Sequence, residues 1–302
     1  MKILRTPDCQ FENLPDYDYP PHYTTIADDD GTEIRIHHIE VGPKDAEPLL
    51  LMHGNPTWSY IYRKMIPGLV KTGKRIIAVD LVGCGRSDKP SRKSDYTLAR
   101  HQQWMRKWLL ANDLNNISLF AQDWGGTIGL YLVSQYPDRF DRLIFSNSGM
   151  PAGEGGNRWL RIWLFMMKVL PSFPWRYAFK RAILAPTFNQ QEFAAYRAPF
   201  PSLAFQAGIL SFPQLIAIFP DNPGVELNRQ AWKRLEQFYK PVLTLFGNMD
   251  PVTRGGQKII QRRIPGAKGQ PHRLIDGAGH FCQEDKPEAL VEGICEFLAA
   301  TA

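Results

Sequence analysis

An aspartate, Asp123, stands at the centre of Ala121-Gln122-Asp123-Trp124-Gly125-Gly126, after the apolar run 117–120 and before the apolar-periodic stretch 127–133. That order predicts a strand, a sharp turn and a helix. It is the local setting in which a nucleophile is raised on a strained turn, with small residues flanking it because the turn leaves no room for large ones. A serine at the apex would attack carbonyl carbons. A carboxylate is suited instead to in-line displacement at a saturated carbon, and the product would be an alkyl ester of the enzyme itself.

Such a nucleophile needs a base to activate the water that hydrolyses the ester, and a group to orient that base. Of seven histidines, His280 lies in the glycine-punctuated loop Asp276-Gly277-Ala278-Gly279-His280-Phe281, between the last strand pattern and the last helix pattern. His37, His38 and His272 fall within strand-like segments and are expected to be core or solvated residues, while His22 and His101 carry no recognisable context. Asp250, in Phe246-Gly247-Asn248-Met249-Asp250-Pro251, follows a strand pattern and completes the chain order nucleophile, acid, histidine. An Asp before Pro also suits a helix N-cap. The other place for an acid, after the strand that follows the elbow, reads Ser146-Asn147-Ser148, and Asn cannot be the charged member. Met52-His53-Gly54-Asn55-Pro56 follows a further buried strand. The backbone N–H groups of Asn55 and Trp124 would there stabilise the oxyanion formed when water attacks the ester. Gly-Asn-Pro also fits an ordinary tight turn. Asp80 to Asp88 reads as a structural turn without the Lys and spacing of a phosphate-binding loop.

The elements that must position these groups alternate. Segments 23–27 and 33–41 flank Asp30-Gly31, a hairpin signal. Segments 49–52, 75–79, 142–145, 241–246 and 272–275 are short apolar runs, as expected of strands buried on both faces. Helical periodicity covers Ser59 to Val70, Ala99 to Leu110 and about Pro287 to Leu298. The alternation predicts an α/β fold, a mostly parallel, doubly wound sheet with an antiparallel hairpin at its start. From Met150 to about Asn228 the chain is aromatic-rich and helical, broken by proline clusters, with no strand pattern. So long a connection must be structured. It is expected to be an inserted helical cap, residues 151–228, over the carboxyl ends of the strands, the main domain being 1–150 and 229–302.

Composition sets outer limits. With 302 residues and 44% hydrophobic content, the chain can bury one large core plus an insertion. No apolar run reaches the roughly 18 to 20 residues needed to span a bilayer, and the first residues lack the apolar stretch of a secretory signal. Four cysteines without metal-ligand spacing fit a reduced cytoplasmic protein. The net charge of +6 is spread over scattered residues such as Arg161, Lys168, Arg176 and Arg181, which argues against nucleic acid as a partner.

The block His53-Gly54-Asn55-Pro56-Thr57-Trp58-Ser59-Tyr60 through Arg63-Lys64-Met65-Ile66-Pro67, the elbow Gln122 to Gly126, and Ala278-Gly279-His280-Phe281 together resemble haloalkane dehalogenases of the α/β-hydrolase fold. The resemblance spans nearly the whole chain outside the cap. It implies that Asp123 expels halide from a small haloalkane, that His280 activates water, and that Asp250 orients His280. It also implies that two indole N–H groups, or an indole and an Asn amide, hold the departing halide. Indole carries one donor and no acceptor, which suits an anion in a dry pocket. One such bond, about 1.5–3 kcal/mol, is too little against the several kcal/mol of desolvating an ion, so a second donor is expected. Trp124 is implied as the first. Trp159, Trp163, Trp175 and Asn55 are candidates for the second; Trp163 resembles the cap tryptophan of the subfamily with two halide-binding tryptophans, whereas other subfamilies use an Asn at the position of Asn55. Epoxide hydrolases share the Asp-Trp pair and the triad, and would need two cap tyrosines, for which Tyr177 and Tyr196 are available. No metal or organic cofactor is implied, since carboxylate, imidazole and water suffice. No membrane partner is expected, and the default expectation for assembly is a monomer.

Overall fold

The computed structural model describes residues 1–155 and 158–301, and for 159, 160 and 163 the backbone but not the side chains. Short apolar runs bounded by turn residues become strands. These are β1 (Ile3–Leu4), β2 (His22–Ala27), β3 (Glu33–Val41), β4 (Pro48–Met52), β5 (Arg75–Val79), β6 (Lys89–Pro90), β7 (Ile117–Asp123), β8 (Phe140–Ser148), β9 (Val242–Gly247) and β10 (Arg273–Ile275). Eight of them form one sheet in the order β10-β9-β8-β7-β4-β5-β3-β2. The β2–β3 hairpin and the β3–β5 pair are antiparallel, and the other pairings in this sheet are parallel. Every residue of β4 and of β9 is buried, as a sheet covered on both faces requires. β1 and β6 form a separate two-stranded ladder that the sequence did not suggest, because Lys89-Pro90 has no strand pattern.

The helices are α1 (Ile66–Leu69), α2 (Leu98–Ala111), α3 (Trp124–Gln135), α4 (Arg158–Val169), α5 (Trp175–Ala182), α6 (Gln190–Arg197), α7 (Ala207–Ser211), α8 (Val225–Leu235), α9 (Gly256–Arg263), α10 (Cys282–Asp285) and α11 (Pro287–Ala300). Local chemistry starts several of them. Thr97 caps α2 by accepting from the Arg100 N–H, and Asn189 with Glu192 makes a reciprocal capping box on α6. Between β8 and β9, α4 to α8 follow one another with no strand among the described residues. The expected cap limit at residue 228 falls inside α8, which lies against α3 of the sheet domain.

One expected helix is broken. Ser59 to Val70 forms a 3-10 turn at Ser59–Tyr62, the four-residue α1, and another 3-10 turn at Val70–Thr72. Pro67 opens α1 in its first turn, and Pro67-Gly68 resists a continuous helix upstream. The hydrophobic period there is real, but its first part lies in the core rather than on an amphipathic helix: Trp58, Tyr60, Ile61, Tyr62 and Met65 are all fully enclosed.

The parallel strands β4, β7, β8, β9 and β10 all end at one edge of the sheet. Their exits carry Asn55, Asp123, Asn147, Asp250 and His280 respectively, five polar residues drawn from the whole length of the chain to one rim.

Candidate active site

Asp123 is the last residue of β7 and immediately precedes α3. Its backbone, φ 51° and ψ −122°, lies outside the favourable regions for a side-chain-bearing residue, at a cost of about 1–3 kcal/mol. The surrounding glycines explain how the turn is held. A Cβ on Gly125 would come 2.1 Å from the Met52 carbonyl oxygen, one on Gly126 1.9 Å from Ser148 Oγ, and one on Gly54 2.3 Å from Asp123 Oδ1. The elbow therefore sits pressed between the exits of β4 and β8, with the carboxylate facing outward.

The three ionisable residues singled out from sequence meet. Asp123 Oδ2 lies 3.5 Å from His280 Nε2, and His280 Nδ1 lies 3.2 Å from Asp250 Oδ1. Burial opposes charge on the imidazole, but its hydrogen bonds to Asp123 and Asp250 and their two negative charges outweigh this and push His280 up to about 10. For Asp250, burial favours the neutral acid, yet the bond to His280, with further bonds, holds the carboxyl below its usual value. Asp250 also accepts the backbone N–H groups of Val252 (2.8 Å) and Thr253 (3.1 Å) and the Thr253 hydroxyl. It thus closes a local turn and faces the histidine at once; the N-cap reading of Asp-Pro does not hold, because α9 begins only at Gly256 with Gly255 as its N-cap.

The Asn55 backbone N–H donates to Asp123 Oδ1 at 2.8 Å. The Trp124 N–H is the first of α3 and has no acceptor within the helix. His53 fixes this loop: its Nδ1 donates to the Gly54 carbonyl (2.7 Å) and its Nε2 accepts the Leu81 N–H (2.9 Å), which settles the tautomer. A mostly apolar cavity of about 500 Å³ opens beside Asp123 and Trp124, walled by Met150, Leu215, Ile216, Val252 and Ile259. Trp124 is buried against Phe212, with ring centroids 5.0 Å apart. Its indole N–H has no hydrogen-bond partner among the described residues.

Other residues expected to matter are distributed as follows. The Asn55 side chain turns Nδ2 to the Ile209 carbonyl, 3.2 Å away. Trp163 belongs to α4, and its side chain lies outside the described residues, as does that of Trp159. Trp175 is buried among Phe173, Phe179 and Phe200, away from the cavity wall. Tyr196 is fully buried and donates to Glu284 Oε1 at 2.5 Å, while Tyr177 is 59% exposed. Neither faces the cavity. His37 is a core residue paired with Asp80 (2.7 Å), and Asp80 also accepts the N–H groups of Ser59 and Arg86, which confirms that turn as structural. His101 is buried between Tyr96 and Phe212 without a hydrogen bond, and burial depresses it to about 3. Among the described residues no three His, Cys, Asp or Glu side chains are grouped to hold a metal ion, and no helix is long and apolar enough to cross a membrane.

Two residues of the site were missed. Asn147, at the end of β8 with φ 40°, donates to the carbonyls of Gly279 (2.7 Å) and His280 (2.9 Å) and accepts the Gly247 N–H (2.8 Å). Gln122 donates to the His280 carbonyl at 3.2 Å from below. Together they pin the histidine loop to the sheet. A buried strand ending in Ser-Asn-Ser is the available signal for Asn147, though by itself that sequence shows only that no acid stands there.

Residues 47–287 match the family model described as alpha/beta hydrolase fold. A haloalkane dehalogenase of Psychrobacter cryohalolentis is 47% identical over 299 residues, covering 99% of this chain and 98% of that protein. One of Mycobacterium marinum is 42% identical, covering 97% and 99%. Among solved structures, a tetrameric haloalkane dehalogenase from Paraglaciecola agarilytica superimposes with a TM-score of 0.89 at 32% identity, covering 99% of each chain.

Proposed function

The chain belongs to the haloalkane dehalogenases, hydrolases of the α/β-hydrolase fold that act on carbon–halide bonds, and from that premise we propose how its own residues carry the reaction. Asp123 Oδ1 is held by the Asn55 N–H, so Oδ2 is the oxygen that displaces halide from the substrate carbon. The C–O bond forms as the C–X bond breaks, leaving a neutral alkyl ester and a halide anion. Trp124 donates to that anion from the cavity wall, and Trp163 from the cap is the second donor, as in the subfamily with two halide-binding tryptophans. Asn55 is the alternative second donor, and its engagement with Ile209 weighs against it.

Ester formation removes one of the two carboxylate charges beside His280. The imidazole then loses part of what raises it toward 10 and becomes able to give up its proton. Neutral His280, oriented by Asp250, takes a proton from water as that water attacks Asp123 Cγ. Oδ1 becomes the oxyanion under the N–H groups of Asn55 and Trp124. Collapse expels the alcohol, which takes the proton held by His280, and the acid left at Asp123 returns its proton to His280; with the proton His280 gave up after alkylation, the net products are alcohol, halide and a proton. The segment between Ser148 and Val225 serves as the cap and lines the cavity through Met150, Pro151 and the stretch Leu215 to Ile218.

The observation that carries this reading is the Asp123–His280–Asp250 line beside an apolar cavity lined by Trp124, whose indole N–H has no hydrogen-bond partner among the described residues. Release of bromide from 1-bromobutane tests it, with Asp123→Asn inactive. Turnover of styrene oxide without bromide release would instead favour an epoxide hydrolase, a reading that the positions of Tyr177 and Tyr196 disfavour. Self-association is favoured over the expected monomer. Ile162, Phe165, Met166 and Val169 are exposed at helical spacing on one face of α4, and the Paraglaciecola relative is tetrameric.

A further inference from the structure

The loop that carries His280 is joined to the cap as well as to the sheet. Asp285, five residues after the histidine, accepts the Gly279 N–H with Oδ2 at 2.7 Å. Its Oδ1 accepts the N–H groups of Leu184 and Ala185, each at 2.7 Å, in the chain that leaves α5 of the cap. The same two segments meet again where the Phe281 N–H donates to the Ala182 carbonyl at 3.0 Å. The approach is close enough that a Cβ on Gly279 would lie 2.8 Å from that carbonyl oxygen. Next to Asp285, Glu284 binds Arg63 (2.5 and 3.0 Å), Lys64 (2.8 Å) and the cap's Tyr196, and Arg63 in turn binds Glu192 of α6 (2.5 Å). Glu284 therefore anchors the cap to the body of the protein. Asp285, beside the Phe281–Ala182 backbone bond, ties cap backbone to the residue preceding the base.

We propose that Asp285 is a positioning residue: its carboxylate straps the 182–185 segment of the cap to Gly279 and so sets where the His280 imidazole stands for the water-dependent step. The inference rests on His280 being the base that hydrolyses the alkyl ester. It makes a selective demand. Displacement of halide uses Asp123 and the halide donors but not His280, so a loosened strap leaves the first step intact and slows the second. A purely structural role for Asp285 would degrade both steps together.

Asp285→Asn keeps the size of the side chain but presents one acceptor oxygen, which cannot serve Gly279 and the cap simultaneously. Ala185→Pro attacks the strap from the other end by deleting one cap donor. Rapid-quench reactions with 1-bromobutane, read by bromide release and intact mass, separate the two steps. In both variants alkylation should hold within about twofold while ester hydrolysis slows ~10-fold, short of the ~100-fold that a misplacement of about 1 Å can cost. Accumulated alkyl-enzyme should also lower kcat and KM together, leaving kcat/KM near the unmodified value. Unchanged hydrolysis in both variants, or equal losses in alkylation and hydrolysis, would overturn the strap. His280→Phe in the same assay distinguishes the layers. An adduct there with unchanged hydrolysis in Asp285→Asn removes the strap alone, and no adduct there removes the base on which it rests.

Discussion

At the scale of single residues, the resting site holds one imidazole between two carboxylates, and its proton affinity is the sum of that company. His280 is raised to about 10 against burial by Asp123 and Asp250, so in the free enzyme it is a cation at neutral pH. The proposed mechanism requires the opposite state, and in it alkylation of Asp123 is the event that produces that state. Asp123→Asn imitates the ester's loss of charge. NMR titration of the His280 ring should therefore show a pKa well below that of the unmodified enzyme; an unchanged value would mean that Asp123 does not control the base. The same linkage acts on stability. A folded-state value above the unfolded one, about 6.5, contributes stability that is complete below that pH and is lost as pH rises toward 10. Asp123→Asn should flatten that alkaline decline.

At the scale of elements, the elbow works because β7 and α3 meet with no intervening loop while the exits of β4 and β8 press on the turn from both sides. Gly125→Ala would drive a methyl group against the Met52 carbonyl, a backbone atom that cannot rotate away. A loss of ~1–3 kcal/mol in denaturant unfolding is expected from such overpacking, together with reduced turnover because Asp123 moves with the turn. Unchanged stability would mean that the glycine is not required for close approach. This element was legible in the sequence because its whole logic lies within six consecutive residues. The His280 loop and Asp250 were legible for a similar reason, each announcing itself by local punctuation after a strand. What stayed hidden depends on distant pairs. Asn147 clamps carbonyls 132 and 133 residues away, and Asp285 reaches back about 100 to the cap. Periodicity also misled at Ser59 to Val70, where Ser59 to Arg63 is buried throughout and Pro67-Gly68 interrupts the helix. Trp58, whose indole donates to the Ala195 carbonyl at 3.3 Å, and Arg63, bound to Glu192, show what that block does instead: it holds α6.

At the scale of the whole molecule, the sheet supplies one rim on which five strand exits place polar groups, and the helical segment between β8 and β9 meets it where Phe212 packs on Trp124 and the Asn55 amide reaches the Ile209 carbonyl. The topology was readable from the alternation of strand and helix patterns, while the assembly state was not, because an exposed apolar stripe looks the same in sequence as a buried one. The stripe of Ile162, Phe165, Met166 and Val169 predicts that light scattering on the eluted protein gives a multiple of the chain mass, and that Phe165→Glu lowers it; a monomer throughout the micromolar range would rule that surface out. The proposed covalent intermediate is directly observable. His280→Phe incubated with 1-bromobutane should release about one bromide per enzyme and stall, carrying a butyl adduct that peptide mapping places on Asp123. Bromide release without any adduct, or an adduct on another residue, would contradict displacement by Asp123.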